Sequence, residues 1–167
     1  MNSHITGLPF PLLLALGWLS SSPVMSAAET ESVPETNKQL VQASFDRWRA
    51  GTGGPFELLA PEATWTITGN SIVAKKYGTR DEFIEAVIKP FNARMTKPLS
   101  PSMKKLYVDG NNVIAHFDAE AMARDVKPYR NTYAWFMEMK EGKIVNVTAF
   151  FDSIAFDELW KRVPANP

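Results

Sequence analysis

The 167-residue chain contains no cysteine and only two histidines, His4 and His116. The lack of thiols excludes disulfides, thiolate zinc sites and a cysteine nucleophile, and it suits an oxidising compartment. Two histidines are too few for a histidine-rich metal site, and no glycine-rich phosphate loop is present, so we expect neither metal nor cofactor. Cationic and anionic side chains balance at 18 each without a basic block, which argues against nucleic-acid binding.

The chain also lacks an apolar run long enough to span a bilayer. Residues 8–19 read LPFPLLLALGWL, about half the length of a membrane-crossing helix, so no stable membrane anchor is expected. Small residues follow at 26–28, and this pattern is typical of a secretory signal peptide. We therefore predict a signal peptide over 1–28, a flexible leader over 29–35, and a periplasmic or secreted mature protein. The alternative is an N-terminus that is simply disordered.

Helical periodicity and capping signals predict two helices in the first half of the remaining chain. One covers Thr36–Ala50, with apolar residues recurring at helical spacing. Another follows Thr79, which forms a capping box with Glu82. Pro90 has no backbone N–H, so this second helix should kink or end near Lys89.

Strand patterns dominate the second half of residues 36–163, and residues 164–167 form a short tail. Helices grouped beside an antiparallel sheet define an α+β domain, and a strongly curved sheet around helices would enclose a pocket. The predicted strands are 63–68, 103–109, 113–124, 129–140 and 143–151, followed by a short helix capped by Asp152.

The last two strands indicate where a pocket wall would lie. Glu141-Gly142 is a two-residue hairpin turn, which pairs Lys140 with Lys143. Counting back from this turn, cross-strand partners share a face that mixes aromatic rings with amide, hydroxyl and carboxylate groups, as a small-molecule site does. The predicted face carries Asn131, Tyr133, Trp135, Met137, Thr148, Phe150 and Asp152.

Six residues are candidates for contact with a bound molecule. Four come from this face, one from strand 63–68, and one from the loop 71–78, which could act as a lid over the pocket mouth. The candidates are Asn131, Tyr133, Trp135, Phe150, Trp65 and Tyr77.

Catalysis would fall to Asp118, His116 and Asp152 if the neighbouring strand turns these groups inward. Two carboxylates in a low-dielectric site cannot both ionise readily, so one would serve as base and the other as acid. The alternative is that the opposite, apolar side of the strand, with Phe117, faces inward and leaves His116 and Asp118 in solvent.

Five short motifs follow one another in the chain with a recognisable spacing. They are Trp65-Thr66-Ile67-Thr68-Gly69, Tyr77-Gly78, Tyr129-Arg130-Asn131-Thr132-Tyr133, Gly142-Lys143-Ile144 and Phe150-Phe151-Asp152-Ser153. On these motifs the sequence, over roughly residues 36–163, resembles the SnoaL-like, nuclear-transport-factor-2-like superfamily. The resemblance implies a cone-shaped α+β roll with a deep pocket and a homodimer formed through the outer face of the sheet.

Within this superfamily, limonene epoxide hydrolase provides the pattern that aligns best. Its Asp–Arg–Asp set would fall on Asp118, His116 and Asp152, with the arginine replaced by His116. Histidine lacks the bidentate fork that holds two carboxylates, so epoxide hydrolysis itself does not follow.

Three functions remain open from the sequence. The first is acid–base isomerisation, hydration or cyclisation of a small, mostly apolar molecule, such as a polyketide- or steroid-like compound, with Asp118 as base. The second is a non-catalytic periplasmic module that binds such a ligand, and the third is a dimeric interaction domain.

Overall fold

A six-stranded sheet with helical segments packed on its inner face forms the domain in the computed structural model, which describes Met1 and residues 32–165. Residues 2–28 of the predicted signal peptide, residues 29–31 of the predicted leader and residues 166–167 of the predicted tail lie outside the described residues. Among the described residues, no helix is both long and apolar enough to cross a membrane. The helical elements are α1 (Val33–Ala50), a 3-10 turn (Pro55–Leu58), α2 (Arg80–Phe83), a π-helix (Ile84–Ile88), α3 (Lys89–Asn92) and α4 (Ser153–Arg162).

The strands are arranged in the order β2-β1-β6-β5-β4-β3. Neighbouring strands run antiparallel except β1 and β6, which are parallel. A parallel pair needs a long connection, and β2 to β5 lie between these two strands in the chain. The predicted α+β class with a curved sheet is confirmed, although the sheet is mixed. The strand bounds are β1 (Leu59–Ile67), β2 (Lys76–Tyr77), β3 (Met95–Asp109), β4 (Asn112–Ala123), β5 (Pro128–Lys140) and β6 (Lys143–Phe151).

Helix α1 begins at Val33, before the predicted start at Thr36. Pro34 lies in the first turn, where its fixed φ suits a helix and its missing N–H costs nothing. Thr36 is therefore inside the helix, and its hydroxyl donates to the carbonyl oxygen of Ser32 at 3.2 Å. The helix ends as predicted at Gly51, whose φ of 70° is in the left-handed region.

The second helical segment has the predicted capping box and an unexpected π-helix. The Thr79 hydroxyl accepts from the Glu82 N–H at 3.1 Å, while the Glu82 carboxylate accepts from the Gly78 N–H at 2.7 Å. The helix does not stop before Pro90. The α-helical hydrogen-bond pattern changes to a π-helix over Ile84–Ile88. The change comes just before Pro90, which has no backbone N–H to donate to the preceding turn.

Strand β3 begins at Met95, well before the predicted start at Met103. Pro98 and Pro101, which suggested a linker, are within it. Prolines are tolerated here because β3 is an edge strand, where one side needs no ladder partner.

The β5–β6 hairpin has the predicted turn but a different register beyond it. Lys140 pairs with Lys143 as predicted. Val145 is then bulged, because the register shifts between the Met139–Ile144 pair and the next one. One extra residue reverses which side chains of β6 face inward. Trp135 therefore pairs with Ala149 and Tyr133 with Phe151, rather than with Thr148 and Phe150.

On β4, the apolar side faces the core. Phe117 pairs with Tyr133, is fully buried and packs edge-on against Phe45 of α1 at 4.9 Å. His116 and Asp118 consequently project from the outer face of the sheet. The sequence left this choice open because the register of the β4–β5 loop could not be counted.

Candidate functional site: an aromatic cavity

A cavity of about 520 Å³ lies between the inner face of the sheet and the helical segments. This volume is in the range that accommodates a small organic ligand. Its wall is mainly apolar, with aromatic rings as almost half of its residues, and it draws on every helical segment and on β1, β3, β5 and β6. Six of the rings form a connected cluster: Trp48, Phe56, Trp65, Phe83, Tyr133 and Trp135.

The rings in this cluster pack in defined orientations. Trp65 stacks on Phe83 with centroids 4.1 Å apart and planes 9° from parallel. Trp135 meets Trp65 edge to face at 5.0 Å and stacks on Trp48 at 5.8 Å. Such contacts fix the planes of the rings, so the cavity has flat, firm apolar walls.

Few polar groups reach this wall. Within the described part of the chain, its titratable side chains are Glu57 and Tyr133. Glu57 is largely exposed and has its carboxylate 3.9 Å from the Arg47 guanidinium. The indole N–H of Trp65 is buried and donates to no described acceptor.

A buried hydrogen-bond network lies behind Tyr133. The hydroxyls of Tyr129 and Tyr133 are 2.8 Å apart, and the Asn131 amide donates to the Tyr129 oxygen at 2.8 Å. The same amide donates to the Asp152 carbonyl and accepts from the Asp152 N–H, both at 2.9 Å. Burial raises the pKa of Tyr129 to about 12 and that of Tyr133 well above its usual value, so both phenols stay neutral.

Three predicted contact residues are in the cavity wall: Trp65, Tyr133 and Trp135. Contact between these side chains and a ligand stays a prediction. Asn131 is buried but does not line the cavity; it joins β5 to the start of α4 through Asp152.

Two other predicted contact residues lie elsewhere. Phe150 is on the outer face and 46% exposed, because the bulge at Val145 turns it away from the cavity. Tyr77 is not part of a lid. It is buried in β2, with its hydroxyl donating to the Val73 carbonyl at 2.7 Å.

Asp118, His116 and Asp152 do not line this cavity. Asp118 and Asp152 border a separate pocket together with Asn131, and His116 is not part of it. A catalytic role for the three residues stays a prediction. Asp118 is on the outer face, where Lys104 at 2.8 Å and the Thr132 hydroxyl lower the pKa of its carboxyl. Asp152 caps α4 by accepting from the N–H groups of Ile154 and Ala155.

Several wall residues were not identified as site residues from the sequence. Phe83, Val87 and Phe91 lie in the segment after Thr79 where a helix was predicted, but nothing in the sequence showed that this helix would border a cavity. Phe151 was missed because a regular register places Phe150 on the pocket face and Phe151 on the other, and the bulge reverses this.

Comparison with known sequences assigns the chain to a protein family. Residues 41–147 match the sequence model of the SnoaL-like domain. The chain therefore belongs to the SnoaL-like domain family, as its motifs predicted. None of the curated proteins matches the chain significantly.

Solved structures of the same fold cover most of this chain. Bal32a, from a soil-derived mobile gene cassette, shares 21% identity over 76% of this chain and 98% of its own, with a TM-score of 0.63. A putative SnoaL-like polyketide cyclase from Jannaschia sp. CCS1 shares 15% identity over 83% of this chain and 100% of its own, with a TM-score of 0.62. TerC, co-crystallized with polyporic acid, shares 16% identity over 74% of this chain and 96% of its own, with a TM-score of 0.59. At these identities the likeness concerns the nuclear-transport-factor-2-like fold.

Proposed function

We propose that the cavity binds a flat, largely apolar small molecule and releases it chemically unchanged. The observation that carries this proposal is the wall itself. Stacked and edge-on aromatic rings supply planar apolar surface, and apart from the indoles the polar side chains of the described lining are Glu57, Asn92, Thr96 and Tyr133. Planar apolar ligands gain from such surfaces by hydrophobic burial and ring stacking.

The first test is mass spectrometry of the purified protein. A retained small molecule should appear under native conditions and be lost under denaturing ones. Incubation with the recovered molecule should return it with unchanged mass and chromatographic behaviour. Conversion to a product would contradict the proposal.

A second test fills the cavity. Ile88 lines it and is partly buried, so Ile88→Trp should place an indole in the ligand's space and raise the Kd about tenfold or more. Ile72→Trp is the matched control, because Ile72 is 54% exposed and outside the cavity wall. Asp118→Asn should leave the Kd unchanged.

Acid–base chemistry is the second candidate function, because one carboxylate, that of Glu57, borders the cavity. In this case Glu57, rather than Asp118, would be the base. Glu57→Gln would then abolish turnover while leaving ligand affinity within a few fold. The Asp118→Asn variant would stay active.

We also propose that the protein is a homodimer. Tyr107, Phe136 and Phe150 form an aromatic patch on the outer face, each between 42% and 46% exposed. The rings of Phe136 and Phe150 are 5.6 Å apart. Exposed apolar patches of this kind favour association.

Sedimentation of single-site variants tests this proposal. Phe136→Asp should shift the protein from dimer to monomer. Ile154→Asp, which changes an exposed isoleucine on α4 instead, should leave the dimer intact. A monomeric wild type would contradict the proposal.

Export is a further proposal, supported by the apolar run at 8–19 and the small residues at 26–28. The intact mass of protein from an exporting host should correspond to a chain beginning after one of residues 26–28. A full-length mass in the periplasmic fraction would contradict it.

A further inference from the structure

The described lining of the aromatic cavity carries one formal charge, and that charge is negative. Glu57 supplies a carboxylate, whereas no lysine, arginine or histidine belongs to the described part of the wall. The phenol of Tyr133 stays neutral, because burial raises its pKa well above the usual value. A bound molecule therefore meets aromatic rings and one anionic group, and this combination attracts cations.

The carboxylate of Glu57, as well as its aliphatic stem, lies at the cavity. Gly53 belongs to the wall, and a methyl group added to it would lie 2.8 Å from both carboxylate oxygens of Glu57. Gly54 also belongs to the wall, and a methyl group there would lie 3.5 Å from the side chain of Trp48. The segment between α1 and the 3-10 turn thus brings the carboxylate and an indole to the same part of the rim.

The charge of Glu57 is only weakly compensated by its neighbour. Its ion-pair partner among the described residues is Arg47, at 3.9 Å, and the two side chains are 61% and 42% exposed. An ion pair this long and this exposed is weak. Arg47 does not belong to the described wall of the cavity. The carboxylate can therefore attract a second cation from the cavity side.

The aromatic rings give such a cation a second source of attraction. The face of an aromatic ring carries partial negative charge, and the indole of tryptophan attracts cations more strongly than the other rings do. Three indoles, those of Trp48, Trp65 and Trp135, are in the wall. A compact ammonium group would lose too much hydration among these rings, so the charge that suits the cavity is one spread over a flat ring system.

We propose that the cavity selects flat aromatic cations, such as ring systems of the quinolinium or acridinium type, and that Glu57 determines this preference. The rings of the ligand would pack among the indoles, with the cationic end towards the rim at Gly53. This inference rests on the proposed ligand-binding function and adds the charge of the ligand.

The test compares N-methylquinolinium with 1-methylnaphthalene, two flat bicyclic probes of the same shape that differ by one positive charge. Their Kd values are measured for wild type and Glu57→Gln, and the ratio of the two Kd values is compared between proteins. We expect wild type to bind the cation more tightly. Glu57→Gln should reduce this preference about tenfold and leave 1-methylnaphthalene binding within about twofold. Glu62→Gln is the matched control, because Glu62 is an exposed carboxylate of β1 outside the described wall, and it should keep the wild-type ratio.

Arg47→Gln gives a readout of opposite sign, which a general loss of folding would not produce. Arg47 competes for the carboxylate, so its removal should increase the preference for the cation about threefold. Added salt should reduce the preference in wild type, because it screens the exposed carboxylate. If both probes bind but wild type prefers the hydrocarbon, or Glu57→Gln leaves the ratio unchanged, this inference is wrong and the proposed function stands. If wild type binds neither probe, the proposed binding of flat apolar molecules is itself contradicted.

Discussion

The two faces of the same three strands, β4 to β6, differ in what their side chains contact. Phe117, on the inner face, is fully buried among rings from α1 and β5. His116 and Asp118 are its neighbours in sequence, yet they lie on the outer face beside Lys104 and Thr132. In an alternating strand, adjacent residues belong to different environments.

This difference shows why residue chemistry alone placed the candidate catalytic groups on the face away from the aromatic cavity. Carboxylates and a histidine look catalytic, but on the outer face Lys104 and Thr132 lower the pKa of Asp118 and solvent surrounds it. The inner face looks like core in the sequence, and it is the face that borders the aromatic cavity. The apolar surface therefore carries the proposed function.

The largest expected difference in the free energy of unfolding is between the variants Phe117→Ala and His116→Ala. Removing the buried ring should lower the free energy of unfolding by about 3–5 kcal/mol, because it leaves a void beneath α1. Removing the outer imidazole should change it by about 0.5 kcal/mol or less. Urea denaturation measures both, and equal losses would contradict the assignment of faces.

A smaller contrast distinguishes the two partners that join β5 to α4. Asn131→Ala should cost about 3 kcal/mol, because it leaves buried groups on Asp152 and Tyr129 unpaired. Asp152→Ala removes only the cap of α4 and should cost about 1 kcal/mol. Thermal denaturation of both variants measures which substitution lowers the stability more. A larger loss of stability for Asp152→Ala than for Asn131→Ala would contradict this prediction.

The smallest effect concerns alkaline pH. The pKa of Tyr129 rises from about 10 in the unfolded chain to about 12 in the folded protein, so the unfolded chain loses this proton first. Stability should therefore be fully present below pH 10 and decline as pH rises towards 12, by roughly 1 kcal/mol at pH 11. Denaturation midpoints measured across this range should fall less steeply for Tyr129→Phe.

The sequence predicted the class of fold and the family because those depend on periodicity and turn chemistry. The Glu141-Gly142 turn and the Thr79 cap are both local signals, and both are present as predicted. The bulge at Val145 has no such signal, since its valine and neighbours fit a regular strand equally well. That single residue moved Phe150 out of the predicted wall and Phe151 into it.

The position of the cavity required information about packing between distant segments. Phe83 and Trp65 are far apart in sequence, and their 4.1 Å stack depends on how α2 lies on β1. Likewise, the loop between β4 and β5 fixed which side of β4 faces inward, and its register could not be counted from residue types.

The most direct test of the account is an NMR titration with 1-methylnaphthalene as the ligand. Indole N–H signals report on the inner face through Trp65 and Trp135, whereas the His116 imidazole and the Asp118 amide report on the outer face. We expect both indole signals to shift and saturate together while the outer-face signals stay in place. Saturable shifts of His116 and Asp118, with unmoved indole signals, would contradict the claim that the aromatic cavity is the binding site.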